Sequence, residues 1–273
     1  MSARDQPKAA EPISVALFGA SGRMGRLAAQ TLEEHPNTRL VAVFGRQWSA
    51  AVPGQRRNFE DLSLLAEQGA DVALDLSVGE AVSRHGRAAA EAGVHLVVGA
   101  SGVGGELLAE LASLFGGEGG PNCIVAPNFA LGAVLATRMA ELAAAFAETI
   151  DIVEMHHEAK ADAPSGTAID TAARIAAERE RKGVSPPYSK PDVVDRLEGS
   201  RGAVGPGGVR LHALRTKGAV AHQEVIFGME GQTLSVRHDS YDRRSFMPGV
   251  IAAVEAVART SGLTVGLDRV LGL

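Results

Sequence analysis

The stretch that decides the fold is Ile13-Ser14-Val15-Ala16-Leu17-Phe18-Gly19-Ala20-Ser21-Gly22-Arg23-Met24-Gly25. Its first six residues are mostly β-branched or apolar, and they predict a short buried strand. A glycine-rich turn follows, and a helical pattern then runs over residues 23–34 until His35-Pro36-Asn37 breaks it. A strand, a glycine turn and a helix in this order are typical of the first unit of a doubly wound nucleotide fold.

The three glycines of this turn have separate tasks. Gly19 lets the chain turn sharply, Gly22 lets the backbone approach a pyrophosphate, and Gly25 lets the helix pack closely on the strand. Amide groups at the start of the helix would then face the phosphates. The spacing GxxGxxG is looser than GxGxxG, so a plain strand-to-helix turn is the alternative. The position between strand and helix favours dinucleotide binding.

The residue that distinguishes the two nicotinamide dinucleotides is expected about 20 residues beyond the glycine turn. A second predicted strand, residues 39–44, ends there in Gly45-Arg46-Gln47, so no acid is present to bind the ribose hydroxyls. An acid would repel a 2′-phosphate, whereas Arg46 could pair with one. The alternative is that Arg46 is a solvated loop charge.

The rest of the first half repeats the pattern of strand and helix. Apolar runs at residues 71–77, 95–99 and 122–126 predict three more strands, and helical patterns occur near residues 60–68, 81–92 and 106–115. Strands that are apolar throughout and alternate with helices predict a parallel sheet covered on both faces. The first half is therefore expected to be a Rossmann-type doubly wound parallel sheet.

The pattern changes after Pro127. The elements predicted there are helices at 131–147, 167–181 and 248–258, strands at 151–155, 209–215, 220–228 and 232–238, and a loop rich in Pro and Gly at 183–208. The last three strands follow one another with short turns, which is typical of an antiparallel meander. The fold class is thus α/β, with a second α+β domain that has a largely antiparallel open sheet.

The composition is that of an ordinary globular protein. Of 273 residues, 45% are hydrophobic and 22% are charged, which argues against disorder. The net charge of −5 argues against a general nucleic-acid binder. Cys123 has no partner for an intramolecular disulfide, Arg138 and Glu141 interrupt the most apolar helix, and the first dozen residues lack the apolar region of a signal peptide. We therefore expect a cytoplasmic protein.

The densest group of reactive side chains is Glu154-Met155-His156-His157-Glu158-Ala159-Lys160-Ala161-Asp162-Ala163-Pro164-Ser165-Gly166-Thr167. Histidine passes protons near neutral pH, and a nearby lysine can donate a proton or hold an anion. The helix that Pro164 and Ser165 open can bind a carboxylate at its first turn. Glu154, His156 and His157 could instead hold a metal, but adjacent histidines on a strand point to opposite faces. A solvated polar loop with a capped helix is the remaining alternative.

This motif, Glu-x-His-His-x-x-Lys-x-Asp-Ala-Pro-Ser-Gly-Thr, resembles that of the 4-hydroxy-tetrahydrodipicolinate reductase (dihydrodipicolinate reductase) family of the bacterial lysine pathway. The similarity runs from about Ile13 to the C-terminus. It includes Asp75-Leu76-Ser77, Val98-Gly99-Ala100-Ser101-Gly102, Ala126-Pro127-Asn128-Phe129 and residues 222–224 and 238–240. The His-His-Lys motif with Ser-Gly-Thr is specific to this family, whereas the glycine loop is not.

The resemblance implies an oxidoreductase in which NADPH or NADH delivers hydride to a cyclic dicarboxylate, 4-hydroxy-tetrahydrodipicolinate. It places the proton donor at His156, a second donor at Lys160, and substrate binding at His157, Ser165, Gly166, Thr167 and Arg243, with Arg244 as the alternative to Arg243. The implied cofactor contacts are Gly19, Ala20, Ser21, Gly22, Arg23, Met24, Gly45, Arg46, Gly99, Ala100, Ser101, Ala126, Pro127, Asn128 and Phe129. No metal is expected.

Three positions depart from the pattern of this family. Gly45 stands where many members have an acid, Ala100 replaces one hydroxyl residue of the usual Gly-Thr-Thr-Gly, and Ala159 replaces a frequent histidine. The first departure puts a preference for NADH in doubt. None of the three removes a residue that the chemistry requires.

The resemblance also implies how the chain is organised. Residues 1–127 and 244–273 are expected to form a dinucleotide-binding domain, and residues 128–243 a substrate-binding and oligomerisation domain. Hinges are expected near residues 127–130 and 243–248, and the family is generally homotetrameric through the substrate-domain sheets. No nucleic acid or membrane partner is expected.

Two other functions stay open. Another NAD(P) dehydrogenase of similar architecture should lack His-His-x-x-Lys with Ser-Gly-Thr. A redox-sensing regulator should carry a basic DNA-binding helix, and no such helix is evident in the sequence.

Overall fold

The structure is a computed structural model, and it describes residues 11–45, 58–59, 61–100, 102–187 and 196–273. Two of the expected cofactor contacts, Arg46 and Ser101, lie outside these residues. The chain divides into two compact units, the first formed by Met1–Phe129 with Met247–Val270 and the second by Ala130–Phe246 with Leu271–Leu273. That the first unit binds the cofactor and the second the substrate stays a prediction. No helix in the described ranges is long and apolar enough to cross a membrane.

The first unit is built on a seven-stranded sheet with the strand order β12-β6-β5-β4-β1-β2-β3. Its strands are β1 (Ile13–Phe18), β2 (Thr38–Phe44), β3 (Asn58–Phe59), β4 (Val72–Asp75), β5 (His95–Val98), β6 (Cys123–Val125) and β12 (Leu263–Val265). Every neighbouring pair is parallel. Its helices are α1 (Arg23–Glu34), α2 (Gly79–Glu91), α3 (Gly105–Leu114) and α6 (Met247–Ala256), with a 3₁₀ helix at Leu62–Gln68. The predicted Rossmann-type sheet is confirmed.

Strand β1 lies at the position where the strand order reverses. Its neighbours are β2 on one side and β4 on the other, and the chain returns across β1 to reach β4. Residues 14–18 of β1 are all buried, which explains why the strand is apolar except at Ser14. In an open parallel sheet of this kind, ligands bind at the carboxyl ends of the strands beside the reversal. The glycine turn follows β1 at that position.

The second unit has a five-stranded sheet with the order β11-β10-β7-β9-β8. Its strands are β7 (Thr149–His156), β8 (Ala203–Val204), β9 (Arg210–Arg215), β10 (Ala221–Met229) and β11 (Gln232–Ser240), and its helices are α4 (Leu131–Ala144) and α5 (Gly166–Arg181). Three neighbouring pairs are antiparallel and one, β7 with β9, is parallel. The expected largely antiparallel sheet is therefore confirmed.

Packing against the two helices explains the alternating pattern of β7. Ile150 and Ile152 are fully buried in a core that also contains Ala140 of α4, Ala172 of α5 and Phe227 of β10. The residues that alternate with them along β7, which are Thr149, Asp151, Val153 and Met155, are only half-buried. Strand β7 thus has one face toward the helices and one face away from them.

The predicted meander is wrong in one respect. Strands β10 and β11 form the expected hairpin, but β9 does not pair with β10, because β7 lies between them. Residues 216–220 pass over the end of β7, where the amide of Thr216 donates to the carbonyl of His156 at 3.0 Å. Five residues are enough to cross two strand spacings of about 4.8 Å each. The short edge strands β3, β8 and β12 were not predicted either.

Candidate active site

The glycine turn is a tightly packed backbone structure. Gly19 has a φ of +79°, and a Cβ there would lie 2.7 Å from the carbonyl oxygen of Leu76. A Cβ on Gly25 would lie 2.2 Å from the carbonyl oxygen of Gly19. Gly19 therefore needs glycine for both its conformation and its contact with the segment after β4, and Gly25 needs it for the close approach of α1. These are two of the three tasks predicted for the glycines.

Helix α1 begins with free backbone amides. Its N-cap is Gly22, which has no capping side chain, and its first turn contains no acidic residue. Ser21, Gly22 and Arg23 at this end are exposed. An uncapped helix start with no negative charge is suited to an anion, since the first amides have no partner within the helix.

The residues that follow β5 and β6 were expected to contact the cofactor, and they pack against each other. A Cβ on Gly99 would lie 2.2 Å from Cε2 of Phe129, whose side chain is 4% exposed. Ala100 and Ala126 are also buried, whereas Pro127 is exposed. Gly99 thus admits the ring of Phe129 to the carboxyl end of the sheet.

A buried hydrogen bond between Asp75 and His85, beside the glycine turn, was not predicted. The carboxylate of Asp75 is fully buried, accepts from the amide of Ser77 at 2.9 Å, and lies 2.8 Å from Nδ1 of His85. The His85 ring stacks on Phe18 with a centroid distance of 4.3 Å. These contacts fix the segment after β4 on which Gly19 packs. His85 lies ten positions beyond Asp75, so only the fold brings the two together.

In the second unit, several hydrogen bonds of the His-His-Lys segment converge on Glu154. Its side chain is fully buried, and Oε2 lies 2.6 Å from Nδ1 of His156. Arg215 of β9 donates to both carboxylate oxygens, at 2.8 and 2.9 Å. The amide of Ser165, at the start of α5, donates to Oε1 at 3.1 Å. One carboxylate thus joins β7, β9 and the start of α5.

Burial and these charges set the ionisation of the two partners. Burial lowers the pKa of His156, while Glu154 raises it and Lys160 and Arg215 lower it, so that it lies below its usual value. Burial raises the pKa of Glu154, but hydrogen bonds from Arg215 and His156 outweigh that effect and hold it below its usual value. Glu154 is therefore ionised and His156 can be neutral near pH 7.

Lys160 lies in the loop between β7 and α5. Its Nζ donates to Oδ1 and Oδ2 of Asp162, at 2.7 and 2.9 Å, and its backbone amide donates to the carbonyl of His157 at 3.1 Å. Arg215 donates to the carbonyl of Asp162 at 2.6 Å. The backbone that carries Lys160 is thus anchored to the same arginine as Glu154.

Three residues at the start of α5 were expected to bind substrate, and they differ in how far they are buried. Ser165 is 3% exposed, and its Oγ accepts from the amide of Ala168 at 3.2 Å as the N-cap of the helix. Gly166 is exposed and Thr167 is half-buried. Ser165 therefore caps the helix, and the backbone of Gly166 after it is exposed.

The structure distinguishes the two candidate arginines after β11. Arg244 donates to the Asp242 carboxylate at 3.2 Å from its Nε. Arg243 is half-buried and forms no hydrogen bond or ion pair with the residues that the structure describes. Arg243 is thus the one of the two without an ion-pair partner among the described residues, and its contact with substrate stays a prediction.

The metal alternative depends on the carboxylate of Glu154, which other side chains engage. The carboxylate of Glu154 is occupied by His156 and Arg215, as described above. Within the described ranges, no three His, Cys, Asp or Glu side chains are grouped so as to hold a metal ion.

The sequence did not identify Arg215 as a residue of the site, because it lies 61 residues from Glu154 and carries no motif of its own.

Comparison with known proteins agrees with the motif. Residues 13–129 match the family model described as dihydrodipicolinate reductase, N-terminus, and residues 132–271 match that described as dihydrodipicolinate reductase, C-terminus. The chain belongs to the dihydrodipicolinate reductase family. It is therefore an oxidoreductase, its reaction is the reduction of 4-hydroxy-tetrahydrodipicolinate in diaminopimelate and lysine biosynthesis, and its Rossmann-type unit implies a pyridine nucleotide cofactor.

Individual relatives match over nearly the whole chain. The 4-hydroxy-tetrahydrodipicolinate reductase of Cutibacterium acnes is 45% identical over 96% of this chain and 99% of its own length. That of Bacillus pumilus is 42% identical over 96% and 98%. The dipicolinate-bound dihydrodipicolinate reductase of Paenisporosarcina sp. TG-14 has a TM-score of 0.82 and 38% identity, covering 94% of this chain and 99% of its own.

The first unit fits a dinucleotide. The glycine turn leaves no room for a Cβ at Gly19 or Gly25, and the uncapped start of α1 offers backbone amides to a pyrophosphate. At the end of β2, no atom of the described residues lies within 4 Å of a Cβ on Gly45. The position after β2 carries no acid.

Proposed function

We propose that His156 supplies the proton that completes the reduction of 4-hydroxy-tetrahydrodipicolinate to tetrahydrodipicolinate, with Lys160 as the second donor. The observation that carries this proposal is the hydrogen bond between His156 Nδ1 and the buried carboxylate of Glu154. It occupies one ring nitrogen and leaves Nε2 to exchange a proton with a ligand. A positioned acid contributes roughly 10²–10⁴-fold to such a step.

The two carboxylates of the substrate need cationic and amide donors. We assign this task to Lys160, Arg243, the exposed backbone of Gly166 and the half-buried Thr167, and His157 adds a half-buried imidazole. Dipicolinate, which is bound in the Paenisporosarcina enzyme, also has two carboxylates. We assign binding of the dianion to these residues, and the capping hydroxyl of Ser165 supports the turn that presents them.

The proposed cofactor site lies in the first unit. Gly19 to Met24 would hold the pyrophosphate, Gly45 and Arg46 the adenine ribose, and residues 99–101 and 126–129 the nicotinamide side. When bound, the reduced nicotinamide supplies the hydride. We propose that NADPH is used at least as well as NADH, because Gly45 cannot repel a 2′-phosphate and Arg46 can pair with one.

We also propose a homotetramer assembled through the five-stranded sheet, in the cytoplasm. The face of this sheet away from α4 and α5 has half-buried Val153, Met155 and Ile226, and Leu214 is 49% exposed. Apolar side chains on a sheet face without helices are suited to association with another sheet. Light scattering on the purified protein measures the number of subunits directly.

The experiment that tests the reaction uses a coupled assay. The preceding enzyme of the pathway, a synthase, generates the substrate in the assay mixture, and this protein consumes the substrate as it forms. Loss of the reduced-nicotinamide absorbance that depends on both the synthase and this protein is the expected result. A regulator that binds dinucleotide without turnover would give no loss of absorbance. Another dehydrogenase would give a loss that does not depend on the synthase product.

A further inference from the structure

We propose that Glu154 is a positioning residue for proton transfer: it holds His156 through Nδ1, so that Nε2 is the ring nitrogen that gives the proton to the substrate. This inference rests on the proposed role of His156. It concerns a residue that neither contacts the substrate in the proposal nor serves as a proton donor itself. Three observations support it.

The first observation is the placement of the two side chains. Glu154 and His156 lie two positions apart on β7, so they share the face of the strand that is turned toward the helices. Glu154 is fully buried, and the side chain of His156 is 16% exposed. The imidazole is thus held at its inner nitrogen, while part of the ring reaches the surface.

The second observation is the hydrogen-bonding capacity of the carboxylate. An ionised carboxylate only accepts, so the nitrogen that faces it must carry the hydrogen. A neutral His156 is therefore the tautomer with hydrogen on Nδ1 and a lone pair on Nε2. Without Glu154, either nitrogen could carry the hydrogen, and the ring could rotate.

The third observation is the arginine on the other side of the carboxylate. Arg215 donates to both oxygens of Glu154 in a bidentate arrangement. The charged groups acting on His156 are Glu154, which favours the imidazolium, and Lys160 and Arg215, which oppose it. Arg215 thus offsets the negative charge of Glu154, and His156 can both take and release a proton.

The proton balance of the step is simple. The imidazolium of His156 has hydrogen on both nitrogens; it gives the hydrogen on Nε2 to the substrate when the hydride has been added, and it keeps the one on Nδ1. The substrate gains one hydride and one proton and loses its 4-hydroxyl group as water, and these changes together give tetrahydrodipicolinate. His156 is left as the neutral Nδ1–H tautomer bound to Glu154, and solvent then returns a proton to Nε2.

A purely structural role is the competing explanation, since Glu154 also accepts from the amide of Ser165. Two variants separate the two roles. Glu154→Gln keeps the shape but removes the charge and offers an amide that can donate to Nδ1. Glu154→Asp keeps the charge but shortens the side chain by one methylene. The matched control is Asp151→Asn, which removes the carboxylate that lies 2.7 Å from Nε2 of His212 on the same sheet.

The kinetic test is a mutant cycle with pH profiles. We expect Glu154→Gln to lower kcat roughly tenfold or more, to change KM less than about threefold, and to shift the pH profile of kcat. Glu154→Asp should recover part of kcat, and Asp151→Asn should match the parent. In a His156→Gln background, Glu154→Gln should add almost no further loss, because a residue that acts through another is not additive with it. A full additional loss, or a parent-like kcat for Glu154→Gln, would overturn the inference.

A spectroscopic readout separates this inference from the proposed reaction. In protein with ¹⁵N-labelled histidine, the neutral His156 signal, assigned by its loss in His156→Gln, should be that of the Nδ1–H tautomer. Glu154→Gln, whose amide can donate to Nδ1, should lose this preference, and Glu154→Asp, which keeps a carboxylate acceptor, should keep part of it; circular dichroism checks that each variant folds. An Nε2–H tautomer in the parent would overturn the role of Glu154 even if the enzyme is active. The expected tautomer in an inactive parent would leave Glu154 supported and the proposed reaction refuted.

Discussion

Nζ of Lys160 lies 2.7 Å from Oδ1 and 2.9 Å from Oδ2 of Asp162, so the proposed second donor is already paired with a carboxylate. The Asp162 side chain is 62% exposed and that of Lys160 is 23% exposed. An ion pair this exposed contributes little to stability. A substrate carboxylate can therefore replace Asp162 at Lys160 at small cost.

Asp162→Asn is expected to lower KM for the dianionic substrate about two- to fivefold, because it removes a competing negative charge worth up to about 1 kcal/mol. Lys160→Ala should raise KM and lower kcat. Steady-state kinetics on both variants measure these effects, and Lys182→Ala, at the exposed end of α5, is the control for loss of a lysine. A KM for Lys160→Ala equal to that of the parent would show that Lys160 does not meet the substrate.

Gly25→Ala is expected to abolish dinucleotide binding or to weaken it more than about tenfold. The added Cβ would lie 2.2 Å from the carbonyl oxygen of Gly19 and 2.7 Å from Cα of Ala20, so the turn must open. The rise in melting temperature on adding NADPH measures the effect. Gly117→Ala is the matched control, since nothing lies within 4 Å of its Cβ. Equal NADPH-dependent shifts in the two variants would contradict this account of the turn.

Gly45→Glu is expected to improve kcat/KM for NADH and to reduce it for NADPH. A glutamate there has room, because nothing lies within 4 Å of the added Cβ, and it can accept from the ribose hydroxyls while repelling a 2′-phosphate. Arg46→Ala should raise KM for NADPH and leave NADH nearly unchanged. The parent should prefer NADPH by about tenfold at most, since the pairing is partly screened by solvent and salt. A parent with clearly higher kcat/KM for NADH would refute the proposed preference.

The single cysteine provides a test of the first unit that does not involve activity. Cys123 is fully buried in β6, and burial raises its pKa to about 12. We expect a thiol reagent at pH 8 to leave the native protein unlabelled and to label one thiol per chain in denaturant. Rapid labelling of the native protein would place β6 at the surface and contradict the fold.

Elements with a strong local signal could be predicted from the sequence. Strand β1 and helix α1 have the predicted bounds, because an apolar run ends at Gly19 and a helical pattern ends before Pro36. The His-His-Lys motif likewise identified β7 and the start of α5. In these cases adjacent residues carry the whole pattern.

Features that depend on distant partners could not be predicted. The insertion of β7 between β9 and β10 depends on the strand order, which no local pattern shows. The short strands β3, β8 and β12 contain too few residues to show the alternation of a strand. Arg215 reaches Glu154 only because β9 lies beside β7, and His85 reaches Asp75 only because α2 packs near β4. Ser165 caps helix α5, which the motif alone did not indicate, and its contact with substrate stays a prediction.

The most direct test of the central claim is kcat of His156→Gln, with the substrate generated by the synthase. If His156 supplies the proton, kcat should fall by about 10²-fold or more with the fold intact, whereas His157→Gln should act mainly on KM. A kcat for His156→Gln within about threefold of the parent, a difference under ~0.7 kcal/mol, would contradict the account.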